Sequence, residues 1–415
     1  MKVVHMENEI KTDDASGRGV VEGYKIAFPA MLFKYNQEEI DVVVDVMRNT
    51  NAMTQGKYMR QFEEDFCTYT GAKHSFAVDN ATNALRLASI LAGLEQGNEV
   101  IIPAYTFCAT AIPFGETGAK IVWADIDPES RLVSAKTIEE KVTKNTKVFV
   151  VVHLLGMPVD MDPVMELAKK YKCLVVEDCA QAPGAEYKSR KVGTIGDFGC
   201  FSFHGAKNIT TLGEGGMLTV KSYEYAKIVS GLRHNGCRAY NEERKRYWVP
   251  AMSDVDIDID GVWPSNFCIG EAQCALGSKL LKRLDKINAK LIKNATRIRR
   301  GLSDVPEITF PEIKKGLKPV YHVLVGKFNG SKLEKTRDDF MDIMVNKFRI
   351  RMIAWLRRDD PADPPWAPGF GEANCPNLEA YWDSSFSYPQ SSDFTDEDID
   401  YMIDSTKKAI ALLKL

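Results

Sequence analysis

The sequence predicts an α/β protein: a mainly parallel sheet flanked by helices, followed by a smaller C-terminal α+β domain. Three observations carry this expectation. Short Val/Ile-rich runs recur at residues 75–78, 99–102, 120–124, 148–153 and 173–176. They lack the polar alternation of a half-exposed strand, which is how strands covered on both faces read. Helical spacing follows some of these strands, at Leu85, Ala88 and Leu91 and again over residues 163–171, and strands that alternate with helices imply parallel pairing. A chain of 415 residues is long enough for a large domain and a smaller companion.

Taken in order, residues 1–36 hold few periodic apolar positions and read as an irregular N-terminal arm. A large domain is expected over residues 37–270, with a linking helix and small domain over 271–415. From Gln37 the apolar positions Ile40, Val43, Val44 and Met47 predict a helix, and a second is expected near residues 62–69. The strand at 75–78 leads into a helix that begins at Thr82, and Pro103 ends the strand at 99–102. Residues 198–203 resemble a strand, and residues 269–302 a long connecting helix with polar and basic faces. Further on, 320–328 reads as a strand, 340–348 and 396–413 as helices, and the Pro-, Gly- and Asp-rich stretch 359–377 as loop. No internal repeat is visible. In such sheets ligands bind where loops leave the carboxyl ends of the strands, and the motifs below fall at such ends.

Composition narrows the partners. The formal net charge of −3 lacks the basic excess that nucleic acid or a membrane surface would attract. The nine cysteines form no C-x-x-C pair and no zinc-like spacing, and Cys173, Cys200 and Cys274 lie in apolar surroundings. Free thiols of this kind suit a reducing cytoplasm. The first residues are too polar for a signal peptide, and no apolar run approaches the roughly 18 residues of a membrane span. A cytoplasmic protein is expected, with no metal.

The chemistry centres on Lys207, in Ser202-Phe203-His204-Gly205-Ala206-Lys207, ahead of the turn Gly213-Glu214-Gly215-Gly216. Small and apolar neighbours make it unlike a solvated helix lysine, and desolvation would turn its amine into a nucleophile and base. Asp178 ends an apolar strand and projects from its carboxyl edge. Alone it reads as a turn residue; with Gln181 and Lys207 it reads as the carboxylate that keeps a pyridine nitrogen protonated. Thr82 starts a helix whose amino end could hold a phosphate, and Ser202 could add a hydroxyl. The three glycines after Lys207 fit a tight turn. No P-loop and no G-x-G-x-x-G after a strand supports ATP or NAD. Asp254, Asp256, Asp258 and Asp260 alternate with apolar residues but lack the glycine turn and final glutamate of a calcium loop.

Four stretches carry a family resemblance: Asn80-Ala81-Thr82-Asn83-Ala84-Leu85, Pro103-Ala104-Tyr105-Thr106-Phe107-Cys108-Ala109-Thr110-Ala111, Glu177-Asp178-Cys179-Ala180-Gln181-Ala182 and the Lys207 motif. From about Phe28 onward the chain resembles the DegT/StrS-type sugar aminotransferases, pyridoxal-phosphate enzymes of the aspartate-aminotransferase fold (fold type I), with a seven-stranded-type sheet. The resemblance implies a Schiff base to the cofactor at Lys207, Asp178 on the ring nitrogen and Gln181 near the phenolic oxygen. It further implies Phe107 on the ring face and Ala81, Thr82 and Ser202 on the phosphate. Asn266 would reach in from the partner of a homodimer with shared active sites.

Amino transfer would be ping-pong, from L-glutamate or L-glutamine to a keto-sugar, with Lys207 as proton shuttle. Candidate substrate groups are His204, His322, Arg233, Arg246 and Arg357. The chain departs from the family pattern at three places: Ala81 stands for glycine, Phe267-Cys268 follow Asn266 without the usual arginine, and residues 353–359 replace a His- and Tyr-rich motif. The last leaves the acceptor open between nucleotide-linked keto-sugars, cyclitols and acidic free sugars. A pyridoxamine-phosphate dehydratase of the same fold would carry histidine in place of Lys207. A binding protein without activity would not need Lys207, Asp178 and Gln181 together.

Overall fold

The computed structural model describes residues 23–237, 255, 257–259, 261–354 and 373–415. Helices α1 (Gln37–Asn49) and α2 (Lys57–Thr70) come first. The alternating region follows: β1 (His74–Val78), α3 (Ala81–Leu91), β2 (Glu99–Pro103), α4 (Ile112–Gly115), β3 (Lys120–Ala124), α5 (Ala135–Glu139), β4 (Thr146–Val152), α6 (Met161–Tyr171) and β5 (Leu174–Asp178). A small hairpin, β6 (Glu186–Tyr187) and β7 (Arg190–Lys191), precedes β8 (Phe198–Ser202), β9 (Gly216–Val220) and α7 (Tyr223–Arg233).

Seven of these strands form one sheet in the order β1-β9-β8-β5-β4-β2-β3. Only β9 runs against its neighbours; every other pairing among β8, β5, β4, β2 and β3 is parallel. The expected mainly parallel, seven-stranded sheet is therefore present. All five residues of β2, β8 and β9 are buried, which explains the unbroken apolar runs. The order jumps between β5 and β8 and between β4 and β2, and the loops that leave the carboxyl ends of these central strands converge.

Helix α8 (Glu271–Gly301) lies along α1 and α2 and buries Leu280, Leu284, Ile287, Leu291 and Ile298 on one stripe. It approaches α2 closely at Gly277, where a Cβ would come within 2.6 Å of the Phe62 ring. Its first residue, Glu271, is fully enclosed and accepts the amides of Gly56, Tyr58 and Met59, so one helix start caps another. Beyond α8 come β10 (Ile308–Thr309), β11 (Leu317–Lys318), β12 (Leu324–Phe328), α9 (Arg337–Asn346), α10 (Pro376–Trp382), β13 (Ser385–Tyr388) and α11 (Asp396–Leu413). Strands β10, β12 and β13 form a second sheet, while β11 pairs with β6.

Some expectations need correction. The strand expected over 320–328 begins only at Leu324, because Tyr321 takes a left-handed φ of 49° that breaks extension. The end of the stretch read as loop turns into α10, with Pro376 at its first position, where a missing amide costs nothing. Residues 24–36 contain no helix or strand, as expected of an arm, yet Ile26, Phe28, Leu32 and Phe33 are core residues. Lys25 and Ile26 bond to Arg349, and Ser392 bonds to Leu32, so this stretch is stitched to the C-terminal elements.

Candidate active site

Asp178 is the last residue of β5, in the middle of the sheet, in register with Val152 and Cys200. It is fully buried. Its Oδ2 accepts the Thr110 hydroxyl at 2.7 Å and its Oδ1 the Ala180 amide at 3.0 Å. Burial pushes its carboxyl above the ordinary range; the Ala180 and Thr110 donors and the charges of Lys207 and His153 pull the other way.

The lysine loop is closed by its own backbone. Phe203 donates to Gly215 O at 2.7 Å, Gly205 to Gly213 O at 2.8 Å, and Thr211 to Phe203 O at 3.0 Å. Gly213 adopts φ +104°, so the glycines form the expected tight turn. Gly216 does something further. A Cβ there would lie 2.5–2.9 Å from the backbone of Asn80 and Ala81, so its bareness lets β9 press against the start of α3. Asn80, not Thr82, caps that helix, accepting from the Asn83 amide at 2.8 Å. Ala81 is the first helical residue, in a right-handed conformation where its methyl is tolerated. Ser202 ends the adjacent β8; its oxygen accepts the His204 amide at 3.3 Å, which leaves its proton to donate.

Gln181 is buried beside Asp178, and its Oε1 accepts the Leu155 amide at 2.7 Å. That bond turns its Nε2 donor the other way. Leu155 can offer its amide because it sits at φ 62°, a conformation costly for a branched residue. Phe107 opens the short turn Cys108–Thr110 and stays 49% exposed, which is unusual for a large ring at this edge.

The substrate candidates separate. His204 is half-exposed, accepts the Ala206 amide through Nδ1, and has Nε2 3.9 Å from Glu214. His322 is 2% exposed, with Nδ1 3.2 Å from Asn208 Oδ1; Asn208 in turn donates to Asn288 at 2.9 Å. His322 therefore belongs to a buried polar chain next to Lys207. Arg233 is a correction: it is 2% exposed and its guanidinium bonds Glu63 and the Ala77 carbonyl beneath β1, so it is spent in the core. A basic side chain suits an anionic substrate, but its buried partner Glu63 holds this one inward. Arg246 and Arg357 lie outside the described residues, as do Asp254, Asp256 and Asp260. Asn266 is exposed, and the next carbonyl, of Phe267, accepts the Asp79 amide at 3.0 Å, so its segment passes the β1–α3 turn.

Sequence reasoning missed Thr106, Thr110, Leu155, Asn208 and Gly216. The two threonines lay inside a quoted motif, but nothing in their spacing pointed to a carboxylate elsewhere in the chain. His153, Glu177 and Cys179 also come together, their ligand atoms within 4.8 Å of one another. The set is taken up by hydrogen bonds: His153 Nδ1 accepts from Val159, its Nε2 meets Glu177 at 2.9 Å, and Glu177 accepts three amides, of Gly193, Ile195 and Gly196. It braces the sheet edge.

A lysine loop, a buried strand-end carboxylate and a helix amino end meet at the carboxyl edge of a mainly parallel sheet, the arrangement of an α/β cofactor enzyme. Comparison is more specific: residues 34–407 match the DegT/DnrJ/EryC1/StrS aminotransferase family, and the chain belongs to it. The spore coat polysaccharide biosynthesis protein SpsC of Bacillus subtilis is 31% identical over 386 residues, which is 92% of this chain and 97% of SpsC. GDP-perosamine synthase of Caulobacter vibrioides is 37% identical over 248 residues, 60% of this chain and 62% of that protein. Among solved structures, the PLP form of a Streptococcus pneumoniae protein assigned as a sugar aminotransferase superposes with a TM-score of 0.80. It is 25% identical, and the match covers 94% of this chain and 100% of that one.

Proposed function

We propose that the protein is a pyridoxal-phosphate-dependent aminotransferase that passes an amino group from L-glutamate or L-glutamine to a keto-sugar, in amino-sugar and polysaccharide biosynthesis. The observation that carries this is the buried, hydrogen-bonded Asp178 carboxylate at the sheet edge that also holds the Lys207 loop, the Gln181 amide and the α3 amino end.

The residues fit the cofactor. The close approach that Gly216 allows between β9 and the start of α3 sets the first amides of α3 beside the end of β8, so that these amides and the Ser202 hydroxyl would hold a phosphate. Asp178 would hold a proton on the ring nitrogen, Gln181 Nε2, left free by the bond its Oε1 accepts, would serve the phenolic oxygen, and the exposed Phe107 ring would cover a flat face. Bound there, the cofactor supplies an electron sink for the carbanion left at the amino-acid α-carbon. Lys207 Nζ would take the α-proton and return it to the carbon on the far side of the transferred nitrogen, and the same amine would serve both half-reactions. Lysine at this position favours amino transfer over dehydration.

Residues 37–270 form the cofactor-binding domain and residues 271–415 the linking helix and small domain. The enzyme works as a homodimer with shared active sites: Asn266 is exposed, and Met53, Leu212 and Trp263 add exposed apolar surface, Trp263 at 80%. A cytoplasmic location suits the nine free cysteines, several of them buried. The relatives' names point to polysaccharide and GDP-sugar acceptors; His204, whose carbonyl accepts the Lys207 amide, and His322, which meets Asn208, are the described side chains that could meet the sugar.

Borohydride reduction of the enzyme with its cofactor, followed by peptide mapping, tests the assignment: the label falls on Lys207, and a label on another lysine overturns it. Lys207→Ala abolishes turnover while cofactor stays bound without a covalent link. Glutamate-dependent amination of a panel of nucleotide-linked, cyclitol and acidic keto-sugars identifies the acceptor.

A further inference from the structure

Asp178 is oriented by a residue to which no role has yet been given. Thr110 Oγ1 lies 2.7 Å from Asp178 Oδ2, and Thr106 Oγ1 lies 2.7 Å from Thr110 Oγ1. Both threonines are buried, at 2% and 1% exposure. A hydroxyl carries one proton, and an ionised carboxylate only accepts. The Thr110 proton is therefore committed to Asp178, and the contact between the threonines must use the proton of Thr106. Charge on Asp178 thus sets the direction of the whole chain, Thr106 to Thr110 to Asp178, and each donor polarises the next.

The short turn Cys108–Thr110 ties this chain to the rest of the site. Thr110 donates its amide to Phe107 O at 3.0 Å, so the exposed ring and the hydroxyl are set by one turn. On the other side the Ala180 amide pins Asp178 Oδ1, so both carboxylate oxygens are held and the plane of the group is fixed. We propose that Thr110, oriented by Thr106, is a positioning residue that aims the ionised Asp178 carboxylate at the ring nitrogen of the cofactor. The proposal rests on the functional reading above. The charged and titratable groups around Asp178 are Lys207 and His153, which favour its charge, its neighbour Glu177, and the buried thiols Cys179 and Cys200, which stay protonated. Among the described residues bonded to Asp178, Thr110 is the side-chain donor.

The test uses the full-length protein titrated with pyridoxal phosphate, following the visible band of the lysine-bound cofactor and the pH at which that band changes. Thr110→Val keeps the shape and removes the hydroxyl. A loosely held Asp178 leaves the ring nitrogen less protonated; with that positive charge weakened, the lysine-linked nitrogen binds its proton more tightly. Thr110→Val should weaken cofactor binding about tenfold and raise the midpoint by about one pH unit. Thr110→Ser should restore both, and Thr106→Val should move both less, in the same direction.

An unchanged affinity and midpoint in Thr110→Val, or a Thr110→Ser that fails as badly as valine, overturns the proposal. Should Thr110→Val not fold, as judged by the melting of the apoprotein, Thr106→Val decides: an unmoved midpoint overturns it. A wild-type protein without the band would instead overturn the functional reading.

Discussion

Glu177 and Asp178 are neighbours on β5, both fully buried, and they face opposite sides of the sheet. Glu177 accepts from His153 and from the amides of Gly193, Ile195 and Gly196. Burial works against its charge, but these donors outweigh it and hold its carboxyl below the ordinary range. Asp178 has two donors for about four acceptor positions, and its carboxyl sits above the ordinary range. The difference separates an anchor from a ligand. A buried carboxylate with its acceptor sites filled stabilises the fold; one with a site to spare is poised for a partner the chain does not contain.

The largest effect expected on this contrast is catalytic. Asp178→Asn cannot hold a proton on the ring nitrogen as an anion does, so turnover should fall about 10³-fold, roughly 4 kcal/mol of barrier. The fold, read by circular dichroism, should be unchanged. Equal loss of structure and activity would make Asp178 another anchor. Glu177→Ala is the reverse case. It leaves His153 and three amides without their acceptor and should cost about 3 kcal/mol of stability, seen as a lower denaturation midpoint. A variant as stable as the wild type would break the contrast.

The pH dependence sharpens it. A carboxyl whose folded pKa is depressed stabilises above its unfolded value and loses that contribution as pH falls through the folded one. For Glu177, ordinarily near 4.5, the contribution is complete above that value and disappears below it. Glu177→Gln should therefore flatten the acid limb of the stability curve measured between about pH 5 and pH 2. An acid limb of unchanged steepness would show that other carboxylates govern it.

The two residues also differ in how legible they were. The run Leu174-Val175-Val176-Glu177-Asp178 announces a covered strand with a carboxylate at its end, and Lys207 stands out among small residues. Such signals are local, and the mainly parallel class of the sheet follows from the same local pattern. What stayed hidden depends on contacts far apart in the chain. Thr110 meets Asp178 across 68 residues, Asn208 meets His322 across 114, and Arg233 meets Glu63 across 170. Arg233 reads as a substrate group until its buried partner is known. Gly216 looked like part of a turn because only the packed structure shows the α3 backbone against it.

The smallest expected effect concerns the cost of keeping Asp178 ready. Its carboxyl, ordinarily near 3.8, is raised in the folded chain, chiefly by burial. A raised group adds its full stability below the unfolded value and loses it as pH climbs through the folded one, so at pH 7 the apoprotein carries a buried charge at a penalty. Asn at this position is neutral throughout and can still accept from the Ala180 amide. The apo form of Asp178→Asn should therefore melt about 2 °C above the wild type at pH 7. Below the ordinary carboxylate value the two should converge, because Asp178 is then protonated in both the folded and unfolded chain. Saturating cofactor should reverse the order at pH 7, since only the aspartate gains the ring contact. An apo variant that melts lower at pH 7 would mean that the Thr110 and Lys207 interactions already outweigh burial, and Asp178 would then stabilise the empty fold as Glu177 does.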